Sequence, residues 1–208
     1  LRPQAAIEDI VLDLDLRRLI LQGKPILHGI RLRLRRSETL ALVGPSGIGK
    51  TSLLRVISGI NTNFDGQRKL NGTCAVVFQE PRLLPWINAL CNICFTTGVS
   101  PDHARKAMSE VGLSGREADF PDQLSLGQQR RLALARAFAA KPNLLLLDEP
   151  FVSLDPALAE EMMSLFAQMR DRHHTTTILV SHAEAEAQRL ADRIVTLAGN
   201  PASLVPQV

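Results

Sequence analysis

The octapeptide Gly44-Pro45-Ser46-Gly47-Ile48-Gly49-Lys50-Thr51 limits the folds open to this chain more than any other stretch. Three glycines and a proline within six residues end any regular element, yet the flanks are regular. Thr39 to Val43 is an apolar, β-like run, and Lys50 to about Ser58 has helical spacing closed by Gly59. A strand, a tight turn and a helix in that order point to an α/β fold. The pattern G-x-x-x-x-G-K-[ST] also has a chemistry. Its backbone N–H groups turn inward around phosphate oxygens, its lysine reaches the outer phosphates, and its hydroxyl meets Mg²⁺. Gly44 to Gly49 are therefore candidate phosphate-cradling residues, with Lys50, Thr51 and Ser52 at the positive end of the following helix.

Further strands are expected at Thr73 to Phe78, Leu144 to Leu147, Thr177 to Val180 and Ile194 to Leu197. None alternates with polar residues, as for strands covered on both faces, so the central sheet reads as mostly parallel. Residues 1–38 differ. Ile10, Leu12, Leu14, Leu16 and then Ile30, Leu32, Leu34 repeat with period two, the mark of half-exposed antiparallel strands. Arg31, Arg33, Arg35 and Arg36 fall on the polar positions or the exit of that segment and read as a solvated strand face, with an anion-binding patch as the alternative.

From Gln79 to Pro142 the strand pattern gives way to helical spacing broken by Pro81, Pro85, Pro101 and Pro121. Ser100 before Pro101 and Asp155 before Pro156 each place a cap ahead of a proline at the first helical position, and Gln128 to Ala140 reads as a further helix. The chain is thus expected to be a single domain over 1–208. It would comprise an antiparallel β part at 1–38, a core of 39–78 and 142–198, a helical insertion at 79–141, and a short tail at 199–208 without room for a regulatory domain.

With 208 residues, 45% hydrophobic and 22% charged, the chain can bury a real core, which excludes disordered, collagenous and coiled-coil classes. Asp148 stops the leucine run and Asp192 and Arg193 interrupt the last apolar segment, so nothing reaches the roughly 18 residues of a membrane span. The start at Leu1, without Met or a signal-peptide progression, suggests a trimmed terminus and a cytosolic protein. Three cysteines, Cys74, Cys91 and Cys94, are too few for a disulfide framework and agree with a reducing compartment. A net charge of +3 does not by itself argue for a nucleic-acid partner, and none is expected.

Leu144-Leu145-Leu146-Leu147-Asp148-Glu149-Pro150 puts two carboxylates where a buried strand emerges, at the edge where open α/β sheets bind ligands. Asp148 is expected to hold Mg²⁺ through water. Glu149 is placed to orient or deprotonate a water attacking the outermost phosphate.

With these motifs the chain resembles the ATP-binding cassette (ABC) family. Leu124-Ser125-Leu126-Gly127-Gln128 is similar to that family's LSGGQ signature. Gln79 after Val76-Val77-Phe78 resembles the Q-loop glutamine, Ser153-Leu154-Asp155 the D-loop, and His182 after Leu179-Val180-Ser181 the switch histidine. The resemblance spans about residues 10–198. It implies a P-loop NTPase fold and MgATP hydrolysis by a head-to-tail pair of cassettes, a homo- or heterodimer. Each ATP would lie between one chain's phosphate loop and the other's Ser125, Gly127 and Gln128, with Asp155 nearby. Glu149 would then be the catalytic carboxylate and His182 the γ-phosphate contact, while Gln79 and Asp148 organise the metal. Transmembrane permease subunits and a solute-binding protein would be partners, with the chain peripheral on the cytoplasmic face of the membrane. Glu80-Pro81-Arg82-Leu83-Leu84-Pro85-Trp86 resembles importer cassettes of the nitrate, sulfonate and taurine group.

Leu126 stands where the signature's first glycine is usual, and slower hydrolysis is expected. The family's aromatic residue that stacks on adenine upstream of the phosphate loop has no clear counterpart, since residues 1–63 contain no Phe, Trp, Tyr or His except His28, and Leu21 is nearest by position. Ser37 stands where a turn glycine is usual. These departures keep open a second reading, a weakly hydrolysing, nucleotide-gated dimerisation module. Trp86 reads either as a permease socket or as packing of the insertion. Cys91-Asn92-Ile93-Cys94 lacks the ligands of a zinc site and reads as buried or inert thiols. His173-His174 reads as a polar helix exit, and Met162, Met163, Leu165, Phe166 and Met169 as core contacts at helical spacing.

Overall fold

The computed structural model describes residues 9–206. The Leu1 start and the last two residues of the expected tail lie outside them. Two compact units are present. One comprises, of the described residues, 9–76, 143–149 and 174–206; the other comprises 77–142 and 150–173.

The first unit is built on the sheet. Strands β1 (Ile10–Leu21) and β2 (Lys24–Arg35) form an antiparallel hairpin, with Leu14 opposite Leu32 and Leu16 opposite Ile30. Their alternation puts Leu12, Leu14, Leu16, Ile30 and Leu34 fully inside. The outward positions carry cross-strand pairs, Arg33 to Asp13 and Arg31 to Asp15, each exposed, so the arginines form the expected solvated face. The core strands β3 (Thr39–Val43), β6 (Leu144–Asp148), β7 (Thr176–Ser181) and β8 (Arg193–Gly199) are parallel, with β3 between β7 and β8. Leu144 to Leu147 have no exposed surface, and each side chain contributes about 1.5–3 kcal/mol by burial.

Two strands were not expected. β4 (Asp65–Leu70) is polar and pairs only with β1, at the sheet edge, so it needs no apolar face. β9 (Ala202–Pro206) pairs antiparallel with β8 and buries Ala202, so 202–206 is sheet rather than tail. With β5 (Cys74–Val77) the nine strands run β4-β1-β2-β9-β8-β3-β7-β6-β5. Helices α1 (Lys50–Ser58) and α6 (Glu184–Leu190) belong to this unit.

The second unit is helical: α2 (Ala89–Thr97), α3 (Pro101–Glu110), a 3₁₀ turn (Pro121–Gln123), α4 (Leu126–Ala139) and α5 (Pro156–His173). Ser100 caps α3 as expected. The α4 helix begins two residues earlier than its spacing suggested, because Ser125 caps it. On α5, Met162, Phe166 and Met169 are buried and Phe166 meets Phe138, while Met163 and Leu165 are half-buried. His173 is a packed residue rather than a free exit: its Nε2 lies 3.1 Å from Glu110 and its ring lies on Phe138. Cys91 is exposed, not buried, and Cys74 and Cys94 are half-buried. Among the described residues no helix is long and apolar enough to cross a membrane.

Candidate active site

The phosphate loop leaves β3 and enters α1, and its backbone shows why glycines are needed. At Gly44 (φ +153°) a Cβ would sit 2.6 Å from the Leu197 carbonyl oxygen. At Gly49 (φ +112°), the cap of α1, it would meet Leu27 at 2.9 Å and Ile26 at 3.1 Å, so β2 lies directly on the loop. Pro45, Ser46 and Gly47 are exposed, Ile48 is half-buried, and Ser52 follows in the first turn of the helix.

Lys50 is almost wholly buried, yet its ammonium is partnered. It donates to the carbonyls of Gly44 (2.8 Å) and Pro45 (3.0 Å) and lies 3.4 Å from Glu149 Oε1. Two of the three ammonium donors are thus hydrogen-bonded to the loop itself, and the charge is balanced by Glu149. Thr51 donates its hydroxyl to Asp148 Oδ1 at 3.1 Å. Burial pushes the Asp148 carboxyl above its ordinary range, and the Glu149 charge adds to the rise, while the Thr51 hydrogen bond, Arg55 and Lys50 pull the other way. Glu149 takes a left-handed backbone (φ +51°), a conformation that costs an L-residue energy and that turns it out of the β6 line. Its N–H is held by the Val180 carbonyl at 3.1 Å, and its Oε2 lies 3.8 Å from His182 Nδ1. Gly44 to Ser52, Asp148, Glu149 and His182 therefore meet in one unit.

The other expected residues belong to the second unit. Gln79 is exposed just after β5. Ser125 and Gln128 form a reciprocal cap: the Ser125 hydroxyl accepts the Gln128 amide, and the Gln128 side chain accepts the Ser125 amide at 2.9 Å. Gln128 is thus spent on capping, whereas Ser125 keeps its hydroxyl proton. The amides of Leu126 and Gly127, in the first turn, have no intrahelical acceptor. At Gly127 a Cβ would approach the Leu158 side chain at 3.1 Å, which would have to give by a few tenths of an ångström, and Leu126 is 48% exposed. Asp155 caps α5 by accepting the Leu158 amide.

The ABC transporter profile matches residues 27–152. The chain belongs to the ABC transporter family. An aliphatic sulfonates import ATP-binding protein, SsuB 2, of Burkholderia lata is 39% identical over 95% of this chain and 77% of that protein. The aliphatic sulfonates import ATP-binding protein SsuB of Granulibacter bethesdensis is 46% identical over 83% of this chain and 73% of its own length. Among solved structures, a dimeric ATP-binding cassette in a post-hydrolysis state with ADP and Pi has a TM-score of 0.79 at 25% identity, covering 93% of this chain and 96% of that one. A part of an ABC transporter complex from Clostridium perfringens shares the fold, with a TM-score of 0.83 at 22% identity over 95% of this chain and 87% of its own. This ABC chain is an ATP-binding subunit and an ATPase with a P-loop NTPase fold.

Three features of this ABC chain escaped sequence reading. The Lys50–Glu149 pair joins distant segments through an unusual backbone angle. Arg130, 8% exposed, forks onto the carbonyls of Pro150 (2.6 Å) and Val152 (2.9 Å), with nothing in its helical neighbourhood to announce it. Ser181 bonds Glu186 at 2.6 Å; a hydroxyl and a carboxylate five residues apart at a strand end were a visible signal.

Proposed function

We propose that the chain powers an importer of small anionic solutes of the aliphatic sulfonate class, working as one of two cassettes on the cytoplasmic face of the membrane beneath permease subunits, with a solute-binding protein delivering cargo. The cargo class rests on the import proteins it resembles. The mechanism rests on one observation, the convergence of Lys50, Glu149 and His182 at the phosphate loop.

The loop amides and Lys50 bind the β- and γ-phosphates of ATP. An incoming phosphate oxygen at Lys50 would compete with Glu149, whose contact at 3.4 Å is the longest of the three around the ammonium. Replacement of Glu149 frees the carboxylate to orient the attacking water and accept its proton, and His182 then contacts the γ-phosphate. The hard-oxygen pair of Thr51 and Asp148 suits Mg²⁺, which would neutralise charge building on the phosphates. Ser125, by its hydroxyl, and Gly127, by its amide, close the site of the second cassette, with Asp155 at the same interface. ADP lacks the oxygens those groups hold, so cleavage releases the pair. Trp86 is 72% exposed, so it is not packing of the insertion; together with Phe95, 79% exposed, it offers an anchor for a permease segment.

Steady-state phosphate release with MgATP across a range of protein concentrations, beside Glu149→Gln, tests this reading. Turnover rising more than linearly with protein and lost in the variant supports it. Nucleotide binding without glutamate-dependent turnover would favour a gated dimerisation module.

A further inference from the structure

Ser181 ends β7 opposite Val43, the last residue of the strand that feeds the phosphate loop, and it is wholly buried. Its hydroxyl oxygen accepts the Ala183 amide at 2.9 Å. The same oxygen lies 2.6 Å from Glu186 Oε2 and 3.3 Å from the Ala183 carbonyl. A hydroxyl has one proton to give, and the near carboxylate is the stronger acceptor, so Ser181 donates to Glu186. One buried oxygen thus ties the strand end, the turn and the first helical turn of α6 together. The residue held out between them is His182, whose side chain is 51% exposed and faces Glu149. The neighbouring Val180 carbonyl fixes the Glu149 amide, so the end of β7 governs both groups at the γ-phosphate.

We infer that Glu186, acting through Ser181, is the positioning residue that sets the switch histidine, His182, toward the γ-phosphate. The inference rests on the role proposed above for His182. An untethered His182 would reach the phosphate in many orientations, and small misplacements are costly in a reaction that depends on positioning. Glu186 also lies in the first turn of α6, where a carboxylate stabilises a helix by charge alone. A purely structural role would therefore lower stability without singling out His182.

A double-variant cycle on the full chain separates the two, with kcat, KM for MgATP and thermal midpoint measured throughout. Glu186→Ala is expected to lower kcat by about 10- to 100-fold with KM unchanged. In a His182→Ala background it is expected to add nothing to the loss. Glu186→Gln keeps an oxygen to accept the Ser181 hydroxyl and recovers most of the rate, and Ser181→Ala repeats the loss from the other side should Glu186→Ala fail to fold. Additive losses, a raised KM with intact kcat, or Glu186→Gln as damaged as Glu186→Ala would overturn the inference. A His182→Ala chain that turns over like wild type would overturn it together with the role of His182. His182→Ala losing turnover while Glu186→Ala and Ser181→Ala keep theirs would overturn the inference alone.

Discussion

The two compact units use their polar groups in opposite ways. Around the phosphate loop polar and charged side chains engage one another: Lys50 with Glu149, Glu149 beside His182, Thr51 with Asp148. In the helical unit the functional candidates serve their own helix ends, Ser125 and Gln128 on α4 and Asp155 on α5. The exposed large aromatics among the described residues, Trp86, Phe95 and Phe120, also all lie in the helical unit. On the proposed reading, the first unit carries the chemistry and the second meets other chains. Substitutions in the first should cost turnover, and surface substitutions in the second should cost assembly.

The largest expected effect is at Lys50. Lys50→Met removes the buried cation proposed to meet the γ-phosphate and should lower kcat by about 10³-fold, read as phosphate release at saturating MgATP. Retained turnover would break the contrast at its root. Phe166→Ala empties a fully buried position in the helical unit and should cost about 3–5 kcal/mol of unfolding free energy in a urea titration, a loss of packing with no chemistry of its own.

Leu126→Gly should work the other way. Uncovering the positive end of α4 to an anion is worth about 1 kcal/mol, so the apparent KM for MgATP at fixed protein concentration should fall roughly fivefold. An unchanged KM would mean that Leu126 does not crowd a phosphate. Trp86→Ala, at an exposed site, should change stability by no more than about 0.5 kcal/mol and leave basal phosphate release intact, while weakening co-purification with permease subunits.

Asp148 sharpens the contrast through pH. Its folded pKa is raised above the unfolded 3.8, chiefly by burial. The native state therefore holds this proton more tightly than the unfolded chain does, and the contribution of Asp148 to stability falls as pH rises from 3.8 through the raised value. Asp148→Asn should flatten that part of the stability curve. On the proposed role of the Asp148 carboxylate in holding Mg²⁺, metal-dependent nucleotide binding should fail on acidification earlier than an ordinary aspartate would dictate, measured by titrating MgATP binding against pH.

The phosphate loop was legible because its chemistry is local: each glycine meets a backbone demand within a few residues, and the strand and helix around it carry their own spacing. The hairpin of β1 and β2 was legible because one face is buried. β4 was not, because the half-buried face of DGQRKL consists of Gly66, Arg68 and Leu70 and shows no apolar alternation. Nor was β9, which follows Pro201 and ends at Pro206, residues that usually mark loops. Within the site, identities were legible and contacts were not. Glu149 was recognisable as the carboxylate after β6, but its left-handed backbone and its grip on Lys50 depend on segments far apart in sequence. Ser125 was singled out as a candidate phosphate contact, and its capping of α4 moved the helix start and spent Gln128.

The central claim is that the chemistry of one chain's phosphate loop is completed by the signature of another. Mixing two inactive chains, Lys50→Met with an intact signature and Ser125→Ala with an intact phosphate loop, tests it most directly. In head-to-tail pairs one of the two composite sites is then assembled wholly from unaltered residues, so phosphate release in the mixture should rise above that of either chain alone. Wild-type chain that hydrolyses ATP under the same conditions while the mixture shows no recovery would contradict the claim.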